Sequence, residues 1–184
     1  MKANRLELIE QARTGNREAF DVLAAGIVDR LYAIARLVLR DVDRAEDATQ
    51  ETLVRCWRDL PSLRDPGRFD AWLQRLLMNS INDEFRAHRR HSSNIRVLRV
   101  EPSVADASGA LALRESLERG FERLTLEHRA VLVLRLYLGL SIDETAATIG
   151  IPAGTAKSRL HYAMEAMRLA LEADAQPPRR EVSA

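Results

Sequence analysis

The 184-residue sequence predicts an all-α protein: two small helical domains joined by a flexible linker, the C-terminal one a helix-turn-helix. Three observations carry that reading. Apolar residues recur at steps of three and four along most of the chain, the period of an amphipathic helix. Helix-start residues, Ser, Thr or Asp, precede several of these runs and are followed in places by Pro or Glu. Aromatic residues make up only 5% of the chain, and no alternating β-branched run suggests a strand.

Taken in order, 4–12 predicts a short helix broken near Gly15-Asn16. From Arg17 a longer helix is expected, because Phe20, Leu23, Ile27, Leu31, Ile34 and Val38 keep helical spacing to about Arg40-Asp41. Asp43 is a candidate cap for the next helix, which runs to the break at Pro61. Ala45, Ala48, Thr52 and Cys56 share one flank of it, with Leu53 and Trp57 nearby, while Asp47, Gln50, Glu51 and Arg55 lie on the polar side. Asp65-Pro66 then reads as an N-cap followed by proline in the first turn. The next helix carries Phe69, Trp72, Leu73, Leu76 and Leu77 toward Phe85 and ends in a basic run. Between 86 and 100 stand five arginines, two histidines and no acid. Such a run is often only a solvated segment. Directly after a helix bearing Trp72, Asn79 and Asn82, it equally suits a phosphate-binding edge beside a base-stacking surface.

Residues 92–109 lose the period and read as a linker, dividing the chain into a domain over 1–91 and another over 110–175. Thr125 and Glu127 open a helix whose Val131, Leu132, Leu134 and Leu138 give a broad apolar face, expected to pack under the helix pair C-terminal to it. Ser141 and Glu144 then stand at capping-box spacing. Gly150 suits the left-handed turn that ends a helix, and Pro152 restarts the chain. Two helices across a tight Gly-containing turn are the plan of a helix-turn-helix, whose second helix enters the DNA major groove. On that second helix Ala156, Leu160, Ala163, Met167 and Leu171 form an apolar stripe, leaving Thr155, Lys157, Ser158, Arg159, His161 and Tyr162 on the remaining surface. These residue types suit base edges and phosphates, although an ordinary helical hairpin with a solvated polar face fits the same pattern. The tail over 176–184 is expected to be disordered.

Composition bounds the function. The net charge is only +1, so DNA contact has to come from local clustering or from a partner. The single Cys56 excludes an internal disulfide and fits a reducing cytoplasm. No apolar run of about 18 residues suggests a membrane span, and the N-terminus lacks the core of a secretory signal. His88, His91, His128 and His161 are scattered without metal-ligand spacing, and there is no phosphate loop or nucleophile elbow. No metal, cofactor or catalytic residue is expected, and the chain is read as a non-enzyme.

The two halves together resemble the extracytoplasmic-function sigma factors, the small two-domain group of the sigma-70 family. The matching stretches are AEDATQETLVRCW at 45–57, FDAWLQRLLMNSINDEFR at 69–86 with its adjoining arginines, and LTLEHRAVLVLRLYLGLSIDETAATIGIPAGTAKSRLHYA at 124–163. Two motif blocks in the right order and at the right distance are far more specific than a helix-turn-helix alone.

The resemblance implies partners and roles. Asp47, Gln50 and Glu51 would dock on the clamp helices of the largest subunit of core RNA polymerase, with the flap region as a second contact. Asn79, Asp83 and Arg86, continued by Arg89 and Arg90, would engage and open the −10 promoter element, with Asn82 a nearby polar candidate. Thr155, Lys157, Ser158, Arg159, His161 and Tyr162 would read the −35 element of promoter DNA as duplex. Trp72 falls on the apolar stripe, which favours core over base stacking. An anti-sigma factor would hold the protein inactive. The resemblance also implies action in the cytoplasm and no direct membrane insertion. Two departures stand out: Arg44 where the family usually has an acid, expected to weaken the polymerase face, and Tyr162 and Met164 where arginine is frequent. Rival readings are a sigma mimic that titrates an anti-sigma factor and a DNA-binding regulator independent of polymerase.

Overall fold

The computed structural model describes residues 2–92 and 109–175, and among them every regular element is a helix. Residues 93–108 of the expected linker, with Arg96 and Arg99 of the basic run, and the expected tail lie outside the described residues, while Ser92 ends α5 and Gly109 begins α6. Helix α1 spans Lys2–Arg13, α2 Arg17–Ala25, α3 Val28–Leu39, α4 Val42–Asp59 and α5 Phe69–Ser92. In the second half α6 spans Gly109–Glu122, α7 Leu126–Leu132, α8 Ile142–Ile149 and α9 Ala153–Ala175.

The single long helix expected from Arg17 is two, α2 and α3, parted at Gly26-Ile27. Glycine weakens a helix interior by about 1 kcal/mol, and here the chain turns at it. The apolar spacing survives the break because Ile27, Leu31, Ile34 and Val38 still bury against one core with Leu23. The cap of α4 is Asp41 rather than Asp43: its backbone is extended and its side chain accepts from the Arg44 N–H at 3.1 Å. The chain reaches it through Arg40, which adopts a left-handed φ of 59° without being glycine. Asp65 caps as expected, accepting from the Gly67 N–H at 2.9 Å, but the first turn is a 3-10 turn over Pro66–Arg68 that leads into α5.

Buried Ala45, Ala48, Thr52 and Cys56 form the inner flank of α4. The Thr49 and Thr52 hydroxyls donate to the carbonyls one turn back, both at 2.6 Å, which lets them be buried without an orphan donor. They pack with Phe69, Leu73, Leu77, Met78 and Ile81 of α5, and Trp72 lies half-buried on this core beside Phe69. Helix α1 is tied to the start of α5 by Arg5, which donates from both terminal nitrogens to Asp70 at 2.9 and 2.6 Å.

In the second half Thr125 caps α7, and Val131, Leu132 and Leu134 are buried under the helices after them, as expected. The α-helix gives way to a π turn over Val133–Tyr137, whose wider winding leaves Leu136 and Tyr137 exposed and Leu138 half-buried. The capping box at Ser141 and Glu144 is complete, with both reciprocal bonds present. Gly150 has φ +71°, the left-handed region expected of it. Pro152 sits one residue before α9, its carbonyl accepting from the Ala156 N–H, so it occupies the cap rather than the first helical turn. The two halves meet where α3 packs on α7 and α5 on α8, with Leu126, Ala130, Val133 and Leu134 joining the main core.

Candidate promoter and polymerase surfaces

Three helices present the candidate residues, each with its back against the core. On α4, Asp47, Gln50 and Glu51 are exposed on the face opposite the buried alanines. On α5, Asn79, Asp83, Arg86 and Arg90 fall one or two turns apart along a solvent-facing stripe. Arg89 is exposed beside it, and Asn82 is half-buried on its flank. Arg86, Arg89 and Arg90 line one shallow concavity. On α9, Thr155, Lys157, Ser158, His161 and Tyr162 are exposed and Arg159 is half-buried, while Ala156 and Ala163 anchor the opposite side. The Ser158 hydroxyl donates to the Gly154 carbonyl at 3.0 Å, so its oxygen faces outward chiefly as an acceptor. The His161 and Tyr162 rings meet edge to face at 5.5 Å.

Arg55 links the α4 and α5 faces. Its Nε donates to Glu51 at 2.7 Å, and its Nη1 lies 2.9 Å from Asp83. Partial burial disfavours the guanidinium charge, but hydrogen bonds to Glu51 and Asp83 outweigh that and raise its pKa. Arg44, expected to disturb the polymerase face, points away from it. Its side chain is 13% exposed and lies over the Phe85 ring, 3.7 Å from Glu84. The acid-to-arginine departure therefore falls on the joint between α4 and α5.

The sequence also left a groove unread. Arg17, Phe20, Asp21, Leu53, Val54 and Trp57 line an open, largely apolar concavity of about 360 Å³ between α2 and α4. The Phe20 and Trp57 rings meet at a tilt of 57° with centroids 4.9 Å apart, and Val54 remains 59% exposed. Val54 and Trp57 lie one and two turns beyond Gln50, so the groove continues the Asp47–Glu51 face. The readable signal was their position off the stripe of Ala48, Thr52 and Cys56.

Comparison with known proteins places this arrangement. The family model described as Sigma-70 region 2 matches residues 24–91, and Sigma-70, region 4 matches 114–167. The ECF RNA polymerase sigma factor SigL of Mycobacterium tuberculosis is 37% identical over 146 residues, covering 77% of this chain and 82% of its own. The chain belongs to the sigma-70 family, in its extracytoplasmic-function group.

This sigma factor also shares its fold with solved relatives. CnrH, solved in complex with the cytosolic domain of CnrY, superposes with a TM-score of 0.65 at 27% identity, over 94% of this chain and 99% of CnrH. The sigma factor RpoE of Bartonella quintana, solved with the anti-sigma factor NepR, gives a TM-score of 0.64 at 24% identity over 84% of this chain and 98% of RpoE. Helix α1 precedes the matched region 2, so the Arg5–Asp70 clasp adds to the sigma factor's region-2 core from outside the family pattern. Among the described residues no His, Cys, Asp and Glu cluster could hold a metal ion, and no helix is long and apolar enough to cross a membrane.

Proposed function

We propose that this sigma factor docks on core RNA polymerase through Asp47, Gln50 and Glu51 and opens the −10 element along the Asn79–Arg90 stripe of α5. It reads the −35 element with the first half of α9. One observation carries the assignment: all three residue sets stand on outward faces of helices whose opposite faces build the core, so each can meet a partner without unfolding anything. Carboxylates and an amide on α4 suit a basic, arginine-bearing helix. Asparagines, a carboxylate and arginines on α5 suit the edges and phosphates of an opened strand, and the hydroxyls and cations of α9 suit a duplex groove.

The working units are a region over 1–91 that holds polymerase and melts DNA, a connection over 92–109, a reader over 110–175 and a tail over 176–184. Their contact joins an apolar seam, with Leu126, Ala130, Val133 and Leu134 on the main core, to a charged edge that is poorly compensated. Arg40 crosses it to Glu122 at 3.0 Å, while Arg129 faces the charges of Arg40 and Arg44. Burial, then those two arginines, lowers the Arg129 pKa, and its Nε finds no hydrogen-bond partner. An anti-sigma factor that grips both halves would hold them together, as polymerase and DNA would draw them apart. CnrH and RpoE, each solved with a second protein bound, support control of this kind. The sigma factor performs no chemistry itself, since phosphodiester formation belongs to the polymerase, and it acts in the cytoplasm where polymerase meets the chromosome.

The test is reconstitution. Core polymerase plus this protein should give promoter-dependent run-off transcripts that core alone does not. Replacing Asp47 and Gln50 together with alanine should weaken polymerase binding while leaving the helical fold intact. Failure to initiate from any promoter would favour a mimic, and specific DNA binding without polymerase association would favour an independent regulator.

A further inference from the structure

We infer that Arg55 is a positioning residue coupling polymerase docking to promoter opening, its single guanidinium shared between Glu51 on the polymerase-facing helix and Asp83 on the promoter-opening helix. The inference rests on the roles proposed above for α4 and α5 and names the group that joins them. Arg55 is 22% exposed, whereas Glu51 and Asp83 are 48% and 52% exposed, so the cation is shielded and each carboxylate still presents an edge outward. Among the described residues Arg86 is the other cation near Asp83; it is 3.9 Å away and 74% exposed, and holds it only loosely. Asp83 therefore depends on Arg55 for compensation.

Asp83 lies on the stripe between Asn79 and Arg86, where a strand of negative charge has to approach. In the free protein Arg55 divides its hydrogen bonds between two carboxylates, and Asp83 keeps part of its repulsion toward phosphate. When a basic group of the polymerase pairs with Glu51, the guanidinium acts chiefly on Asp83. The repulsion falls, the Asp83 side chain is fixed, and Asn79 and Arg86 are left to the bases and backbone. Docking thus prepares the opening face without a change of fold. A purely structural tie is the alternative, but the α4–α5 joint already has buried Ala48, Thr52, Cys56, Leu77 and Ile81, with Arg44 reaching Glu84 and Phe85 on the same helix.

The experiment measures opening of a promoter carrying a fluorescent base analogue in its −10 element, at saturating core polymerase, for full-length wild type, R55Q, D83N and R55Q/D83N. R55Q should slow opening about fivefold, equivalent to about 1 kcal/mol, the upper range of a partly exposed pair. Asp83→Asn keeps an acceptor oxygen but removes the charge and slows opening through loss of its own contact, and on that background R55Q should change the rate by less than about twofold, because the guanidinium no longer has that charge to offset. R55K, with one compact ammonium for two carboxylates, should fall between wild type and R55Q. An unchanged rate in R55Q overturns the inference. So does an R55Q slowing of the same size on the D83N background, or an R55Q chain that loses its fold, since either makes Arg55 a structural tie. Failure of the underlying reading is seen separately, as unchanged polymerase affinity when Asp47 and Gln50 are both alanine.

Discussion

Arg159→Ala gives the sharpest separation between reading DNA and merely being basic. Arg159 is half-buried on the exposed side of α9, and no carboxylate among the described residues pairs with it. Its guanidinium is available to a guanine edge, a contact that contributes about 1–3 kcal/mol of discrimination. Loss of that contact should lower transcription from a promoter with its −35 element by about 5- to 150-fold. Arg168 on the same helix is the internal control. It donates to Glu165 at 2.6 Å and to Glu172 at 2.5 Å, so its charge is already committed. Arg168→Ala should change the same transcription by less than about twofold, as expected of an exposed side chain away from a site. Multiple-round run-off assays on paired templates, one with the −35 element scrambled, measure both variants. The scrambled template should make wild type and Arg159→Ala converge. Equal losses for Arg159→Ala and Arg168→Ala, or an Arg159→Ala loss that persists on the scrambled template, would refute the assignment of α9 as the reader.

Two further outcomes concern the region-2 core. Burial, with Asp59 adding, pushes the Cys56 thiol up to about 12, so at pH 8 about one molecule in 10,000 carries a thiolate, against roughly a quarter for an ordinary cysteine. The native protein should resist iodoacetamide and label stoichiometrically only in denaturant; fast labelling of folded protein would contradict the packing. Hydrogen bonds from Arg5 hold the Asp70 carboxyl below its usual range, against the cost of its partial burial. A depressed carboxyl contributes stability above its unfolded pKa of about 3.9 and loses it as pH falls through the folded value. With Arg5 and Asp70 41% and 50% exposed, Asp70→Asn should cost less than about 1 kcal/mol at pH 7, read from thermal midpoints. The gap to wild type should close only in acid below about pH 4, and a gap independent of pH would remove the ion pair as its cause.

The features legible in the sequence came from period and caps. The stripe of Ala45, Ala48, Thr52 and Cys56 is buried as its spacing required, and Ser141 and Glu144 cap the start of α8 while Gly150 makes the turn between α8 and α9, as their residue types demand. The break at Gly26 was hidden because Ile27 continues the apolar spacing across it, and period alone does not register a change of direction. Asp41 and Asp43 are equally good caps by type; the extended backbone after left-handed Arg40 selects Asp41. Side-chain direction was the least legible. Nothing local says that Arg44 turns inward onto Phe85 or that Arg55 reaches Asp83, because both depend on where α5 crosses α4. The Phe20–Trp57 groove was missed for the same reason, since its two walls come from different helices.

A net charge of +1 is low for a DNA-binding chain, and the arrangement of the charges accounts for it. Elsewhere in the chain carboxylates often stand close to the arginines, as Asp70 does to Arg5, Glu122 to Arg40, Asp59 to Arg58 and Glu165 to Arg168. The stretches over 86–100 and 151–164 contain no acid at all. The protein is thus nearly neutral as a whole, and two of its acid-free basic stretches fall on the faces proposed for a strand and a groove. If the five cations Arg86, Arg89, Arg90, Lys157 and Arg159 each met a phosphate, a fourfold rise in salt would weaken a duplex complex by about 500-fold, at a slope of about 0.9 per contact. On that reading the chain would hold DNA poorly on its own at physiological ionic strength, and would gain when polymerase presents both basic faces to one promoter at once. The same arithmetic gives the acidic pair on α4 its weight in the proposed docking: it would attach two weak DNA contacts to an enzyme that stays bound, and effective concentration would then supply what the net charge does not.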